Sequence, residues 1–309
     1  MCSVFFIICY GYMEKLNINE QGNGRYIIIT PMRNEIRTVE TTIKSLLVQT
    51  VLPVKWVILD DGSSDGSEAI VEKYAKEYPW IHLVKIKDRG YDFVGQGVAD
   101  ILNHGLRLLM EMEEEPVEYL VKLDADMGFK EDYFESLIKK FESEPRLGIA
   151  SGYPYVIKEN KQVFERHSAF FPSGTARLYR VRYLNEIGYF KSSVGWDTVD
   201  ILRMRMRGHL TQICDDLPIH HMRRMGTRQG YINGMIRDGR NNYLTGYIPL
   251  FFVLRAIFNG RYYPYVLRTV CMLYGYFSSY FTGLPRAVTD DEYLFHSSLQ
   301  KKRLLFKDI

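Results

Sequence analysis

The stretch Lys55-Trp56-Val57-Ile58-Leu59-Asp60-Asp61-Gly62-Ser63-Ser64-Asp65-Gly66-Ser67 joins a short apolar run to a cluster of acids, glycines and serines. The run has strand length and ends at turn-forming residues, which predicts a strand over 55–59. Asp65, followed three residues later by Glu68, predicts a helix start ahead of Ile70, Tyr74 and Tyr78, with Pro79 closing the helix. A strand that passes through a polar loop into a helix is one unit of a parallel sheet with helices on its faces.

The same alternation repeats on both sides. Residues 26–30 predict an earlier strand, and Val39, Ile43, Leu46 and Leu47 follow at helical spacing. Downstream, 82–87, 119–123 and 147–152 read as strands, separated by helices over 98–112 and around Phe134, Leu137, Ile138 and Phe141. The expected fold class is therefore α/β: a Rossmann-like, mainly parallel sheet flanked by helices. Beyond Gly152 the clean repeats give way to aromatic and basic residues, and 242–283, rich in Tyr, Phe and Leu, predicts an aromatic helical C-terminal region.

Composition narrows the function classes. The 309 residues are 46% hydrophobic and 25% charged, an ordinary folded composition with material for a sizeable core. A formal charge of +3 is too mild for a dedicated nucleic-acid binder, and leaves acidic small molecules or an anionic membrane surface as partners. Cys2, Cys9, Cys214 and Cys271 form no C-x-x-C pair, so neither a disulfide framework nor a zinc site is indicated, and a reducing, cytoplasmic setting is expected. The apolar run over 4–9 lacks a basic leader and is too short to span a bilayer, so it reads as an extension or a peripheral anchor, with Met13 as an alternative start.

In an open α/β sheet, ligands bind at the carboxyl ends of the strands. Three such ends carry polar groups: Thr30-Pro31-Met32-Arg33-Asn34-Glu35, then Asp60-Asp61-Gly62-Ser63, then Asp124-Ala125-Asp126. Carboxylates two apart at a strand end can turn toward one Mg²⁺ or Mn²⁺, since hard cations take oxygen ligands. Alone, Asp-x-Asp is as well explained by a solvated loop, and the Asp-Asp-Gly segment by a turn. Their joint placement on the ends of one sheet is what favours a site.

With these motifs the chain resembles glycosyltransferase family 2, which has the type A glycosyltransferase fold. Gly195-Trp196-Asp197-Thr198-Val199-Asp200 and Leu217-Pro218-Ile219-His220-His221 add to the resemblance, which covers about residues 25 to 225. The resemblance implies an inverting, metal-dependent enzyme that moves a sugar from a nucleotide-diphosphate donor, most often a UDP-sugar, to an acceptor hydroxyl in polysaccharide or glycolipid assembly. Its partners are then a nucleotide-sugar donor and a carbohydrate or lipid-linked acceptor, with no nucleic acid. It implies a donor nucleotide site at Thr30, Pro31, Glu35, Asp60, Asp61, Gly62, Ser63, Asp124 and Ala125. It further implies Mn²⁺ or Mg²⁺ held by Asp126 and Asp124 with His220 or His221. Where the family has Glu-Asp this chain has Trp196-Asp197, which leaves Asp197 and Asp200 as candidate catalytic bases.

Arg223, Arg224 and Arg228, among Gly226 and Gly230, read either as a lid over the diphosphate or as a basic surface loop. The expected division is an extension over 1–24, a catalytic domain over 25–235 and a helical region over 236–309. Residues 247–258 and 266–284, apolar with Arg255, Arg261 and Arg268 interspersed, read as helices at a membrane interface or as a packed subdomain, with peripheral contact at the inner face of the cell membrane as the first alternative. A sugar nucleotidyltransferase is disfavoured because its Gly-rich basic loop is missing after the first strand. A dinucleotide oxidoreductase is disfavoured because Gly95-Gln96-Gly97 lacks the third glycine. A degenerate, non-catalytic protein of the same fold is the remaining alternative, which the retained acids oppose.

Overall fold

The computed structural model describes residues 24–86, 96–112, 115–165, 169–222, 231–261 and 264–305. Most of the N-terminal extension, Gly95, and the arginines Arg223, Arg224 and Arg228 lie outside them.

The chain alternates β1 (Tyr26–Met32), α1 (Val39–Leu47), β2 (Lys55–Asp60), α2 (Ser67–Glu77), β3 (Ile81–Lys85), α3 (Gln96–Met112) and β4 (Tyr119–Leu123). Then come β5 (Met127–Gly128), α4 (Tyr133–Ser143), β6 (Leu147–Lys158), β7 (Lys161–Phe164), β8 (Ala176–Arg180), α5 (Val181–Glu186), α6 (Trp196–Met206) and β9 (Leu210–His221). Four helices end the described chain: α7 (Tyr231–Leu244), α8 (Pro249–Asn259), α9 (Val266–Phe281) and α10 (Asp290–Leu304). Two compact units result. One holds the sheet, and the other holds Phe190–Gly208, and with it α6, together with the C-terminal helices.

In the first unit the strand order is β3-β2-β1-β4-β8-β6-β9-β5, with β7 added on β6. The run β3-β2-β1-β4 is parallel, as the alternation of strand and helix dictates. Beyond it the sheet is mixed: β8 runs antiparallel to both β4 and β6, while β9 is parallel to β6. The inner parallel strands β1, β2 and β4 are buried on both faces, which is why Ile27-Ile28-Ile29 and Trp56-Val57-Ile58-Leu59 are continuous apolar runs. One face packs α4, where Phe134 stacks on Tyr26 at 5.2 Å. On the other, α3 comes so close that a Cβ at Gly105 would lie 2.5 Å from Leu59 Cδ1.

The helix after β2 begins differently from the expected cap. Gly66 occupies the cap position at φ 96°, and no side chain caps the helix. Asp65 instead accepts from the backbone N–H groups of Ser67 and, across the loops, of Ile36 at 3.0 Å. Glu68 pairs with Lys85. The acid spacing that suggests a capping box serves loop-to-loop contacts here, because a glycine in the left-handed region turns the chain first.

In the second unit α7 and α9 touch backbone to backbone. A Cβ at Gly239 would meet the Met272 carbonyl oxygen at 2.0 Å, and one at Gly275 the Ile236 carbonyl oxygen at 1.9 Å. Phe252 of α8 stacks on Tyr276 of α9 at 4.2 Å. The helix α10 opens with a capping box between Thr289 and Glu292, and Glu292 also accepts from Arg203 of α6 at 2.6 Å. His296 is buried and donates from Nδ1 to the Thr245 carbonyl oxygen at 2.9 Å.

Burial holds the His296 imidazole neutral and pushes its pKa down to about 4. Because the folded value lies below the ordinary 6.5, the unfolded chain takes up the proton first as pH falls. Stability is therefore unaffected by this group above pH 6.5 and declines toward pH 4, by about 3 kcal/mol at most. Urea denaturation across that window should show a shallower decline for His296→Gln than for the wild type. Equal slopes would remove His296 as the cause.

Candidate active site

The parallel strands end on one edge, and the loops there are laced together. Asn34, at φ 55°, donates its backbone N–H to Ser63 Oγ at 2.9 Å, and its side-chain oxygen accepts from the Ser64 N–H at 2.9 Å. The Glu35 N–H donates to Ser67 Oγ at 2.7 Å, and the Glu35 carboxylate accepts from Thr38 Oγ1 at 2.9 Å. Asp60 accepts from both the N–H and the hydroxyl of Ser63, closing a turn through Gly62 at φ 74°. Arg33 donates to the Asp61 carbonyl oxygen. Pro31, Glu35, Asp60, Asp61, Gly62 and Ser63 are thus brought to one rim. Thr30 is not presented there in the same way. Its side chain is buried and accepts from the Trp56 indole N–H at 2.9 Å, since strand alternation turns it into the core.

At the end of β4, Lys122 donates to Asp124 and to the Gly174 carbonyl oxygen at 2.6 Å. The Asp124 side chain remains 33% exposed, whereas Ala125 and Asp126 are buried. Removal from water pushes the Asp124 pKa up, the Lys122 ammonium opposes this, and the Asp126 charge adds to the rise.

The two-residue strand β5 carries the chain from Asp126 onto β9 and pairs Met127 with His221 and Gly128 with His220. Alternation then separates the histidines. His221 lies buried with Nε2 3.5 Å from Asp126 Oδ2, while His220 stacks on Tyr155 at 5.3 Å between ring centres. Of the two, His221 is the one that reaches the acid pair.

Sequence reasoning missed Glu165. It follows β7 and places Oε1 3.1 Å from His221 Nδ1, and its other oxygen is buried with no hydrogen-bond partner among the described residues. Burial by itself would lower the His221 pKa, yet hydrogen bonds to Asp126 and Glu165 push it up to about 9. The available signal was a hairpin. Alternating Tyr153, Tyr155 and Ile157 lead to Glu159-Asn160, both at positive φ, and β7 returns from there.

Among the described residues no group of three or more His, Cys, Asp or Glu is already drawn up to hold a metal ion. The donor types of Asp124, Asp126 and His221 nonetheless fit a hard divalent cation, which would offset both the loss of hydration and the neighbouring Asp126 charge that raise the Asp124 pKa.

Asp197 and Asp200 lie on α6 in the other unit. Gly195, at φ 74°, precedes the helix, and Asp197 in its first turn is partly exposed and accepts from the Thr198 N–H at 3.0 Å. Asp200, one turn on, is fully buried.

The sequence profile of glycosyl transferase family 2 matches residues 27–197, more than half of the chain. The chain belongs to this family. Poly-beta-1,6-N-acetyl-D-glucosamine synthase of Staphylococcus epidermidis is 29% identical over 160 residues, 52% of this family 2 chain and 33% of that protein. The Staphylococcus aureus (strain COL) synthase is 25% identical over 186 residues, 60% and 39% of the two chains. The chain thus spans well under half the length of these curated relatives.

Among solved structures, the mannosyltransferase PcManGT from Pyrobaculum calidifontis, in complex with GDP-Man and Mn²⁺, superposes with a TM-score of 0.53 at 17% identity. That match covers 97% of this chain and 87% of that one. TarS 1–349 of S. aureus with UDP-GlcNAc superposes at 0.51 and 15% identity, covering 70% and 66%. The likeness is one of fold, and the fold is the type A glycosyltransferase fold.

Proposed function

We propose that this family 2 protein transfers a sugar from a nucleotide-diphosphate donor, a UDP-sugar first among them, to an acceptor hydroxyl with inversion at the anomeric carbon. The observation that carries the reading is the convergence of the Glu35, Asp61 and Asp124-Ala125-Asp126 segments on the carboxyl edge of one parallel sheet. The rim from Pro31 to Glu35 and from Asp60 to Ser63 takes the nucleoside. Asp126 and Asp124, with His221, would hold Mn²⁺ or Mg²⁺. When bound, the cation supplies Lewis-acid stabilisation of the departing diphosphate. Neighbours of the same fold solved with Mn²⁺, PcManGT and GalNAc-T7, support a divalent cation.

The acceptor oxygen attacks the anomeric carbon as the bond to the diphosphate oxygen breaks, and the bonding pair leaves with the nucleoside diphosphate. Asp197 takes the hydroxyl proton. Glu165 holds His221 through Nδ1 and so fixes the direction of Nε2. An orienting carboxylate of this kind is worth about 10- to 100-fold in metal affinity, so Glu165→Gln should weaken Mn²⁺ binding by that factor in calorimetry. Unchanged affinity would reduce Glu165 to a packing role.

The acceptor is a carbohydrate or a lipid-linked sugar, in polysaccharide or glycolipid assembly at the cytoplasmic side. The test of the whole reading is release of free nucleoside diphosphate from a panel of nucleotide sugars with Mn²⁺. The correct donor should also raise unfolding stability by about 2.7 kcal/mol at a hundred times its dissociation constant. A panel in which no donor is turned over and none stabilises the fold overturns the proposal.

A further inference from the structure

The helices α8 and α9 are apolar on both sides. Their inner sides meet through Phe252 and Tyr276. On the outer side of α8, Leu250, Leu254 and Ile257 stand four and three residues apart and are all exposed. On α9 the outward stripe is Val266, Val270 and Phe281, with Val266 73% and Phe281 80% exposed. A helix that is apolar all round is ordinarily buried in protein or in lipid. Among the described residues no helix is long and apolar enough to cross a membrane.

Charge identifies what covers these stripes. From Gly239 to Thr289 the sequence contains no Asp or Glu, and five arginines: Arg240, Arg255, Arg261, Arg268 and Arg286. Arg268 is turned toward Asp238, but Arg255, Arg261 and Arg286 are exposed, and Arg261 lies over the Phe258 ring at 4.1 Å. An apolar stripe flanked by cations, in a segment free of acids, complements an anionic lipid surface. Apolar side chains enter below the headgroups and guanidinium groups meet the phosphates. A neutral protein partner would not call for the excess of arginine.

We infer that the exposed faces of α8 and α9 dock this protein in-plane on an anionic lipid bilayer. The inference rests on the proposed function only in taking the acceptor to be carried by a lipid.

Flotation of the full chain with phosphatidylcholine vesicles, with and without phosphatidylglycerol, tests it. The wild type should float with the anionic vesicles, and Leu254→Glu with Val270→Glu should bind at least about tenfold more weakly. Both positions are exposed, so an unchanged thermal melt will show that the variant folds. A second variant, Arg255→Gln with Arg261→Gln, should lose binding and its salt dependence without altering the apolar stripe. Wild-type protein that stays with the soluble fraction, or variants that float as it does, overturns the inference. So does sedimentation of the wild type as a dimer that the double glutamate variant makes monomeric. Nucleoside diphosphate release with a soluble acceptor is measured in parallel: its persistence while flotation fails sinks the docking surface alone, and its absence while flotation succeeds sinks the enzyme reading alone.

Discussion

Replacing Asp126 by Ala should abolish Mn²⁺-dependent release of the nucleoside diphosphate. In the proposed site Asp126 would hold the cation together with Asp124 and His221, and it stands buried beside Asp124 at the end of β4. Loss of the Lewis acid at the leaving group should lower kcat/KM by about 10³-fold or more, equivalent to about 4 kcal/mol of transition-state stabilisation. The fold should persist, because the backbone bond from Met222 N–H to the Asp126 carbonyl oxygen does not depend on the side chain. The same substitution removes a principal hydrogen-bonding partner of His221, so its pKa should fall from about 9 toward the ordinary value. An NMR titration of the imidazole reads that change without any turnover. Full Mn²⁺-dependent activity in the variant would remove Asp126 from the metal site.

Asp197→Asn should lower kcat by about 10²- to 10⁴-fold and leave donor affinity nearly unchanged, since a general base acts on the acceptor proton and not on the nucleotide. Two features support Asp197 over Asp200. Asp197 is partly exposed in the first turn of α6, whereas Asp200 is fully buried one turn deeper. Burial away from solvent suits a structural acid, and Asp200→Asn should show its effect mainly as lowered stability. Pre-steady-state transfer at saturating donor, set beside a calorimetric donor titration, separates the cases. Normal transfer by Asp197→Asn with a folded but inactive Asp200→Asn would exchange the two roles.

The parallel half of the sheet was legible because its inner strands are buried on both faces and its helices are amphipathic, so burial writes itself into local periodicity. The mixed half was not. β6 continues from Gly152 to Lys158 and turns back through Glu159-Asn160, and the partner that makes β5 a strand, β9, lies about ninety residues downstream. Long-range pairing leaves no local period. For the same reason the His220-His221 pair was visible but not its outcome: only the register of β5 on β9 decides which imidazole meets Asp126. Glu165 escaped notice because it acts through His221 and carries no motif of its own. The grouping of α6 with the C-terminal helices rests on contacts such as Arg203 with Glu292, 89 residues apart, and no composition shift marks it.

The lacing of the two rim loops has a thermodynamic consequence. Asn34, Ser63, Ser64, Asp65 and Ser67 are held in place by one another and by backbone groups of the facing loop. Ordering a flexible loop on binding costs about 0.5–1.5 kcal/mol for each side chain immobilised, and here that entropy is already lost on folding. If the rim takes the nucleoside as proposed, recognition there should then be fast and close to rigid-body. It should carry a heat-capacity change set by the base and ribose surface buried, with no added contribution from loop folding.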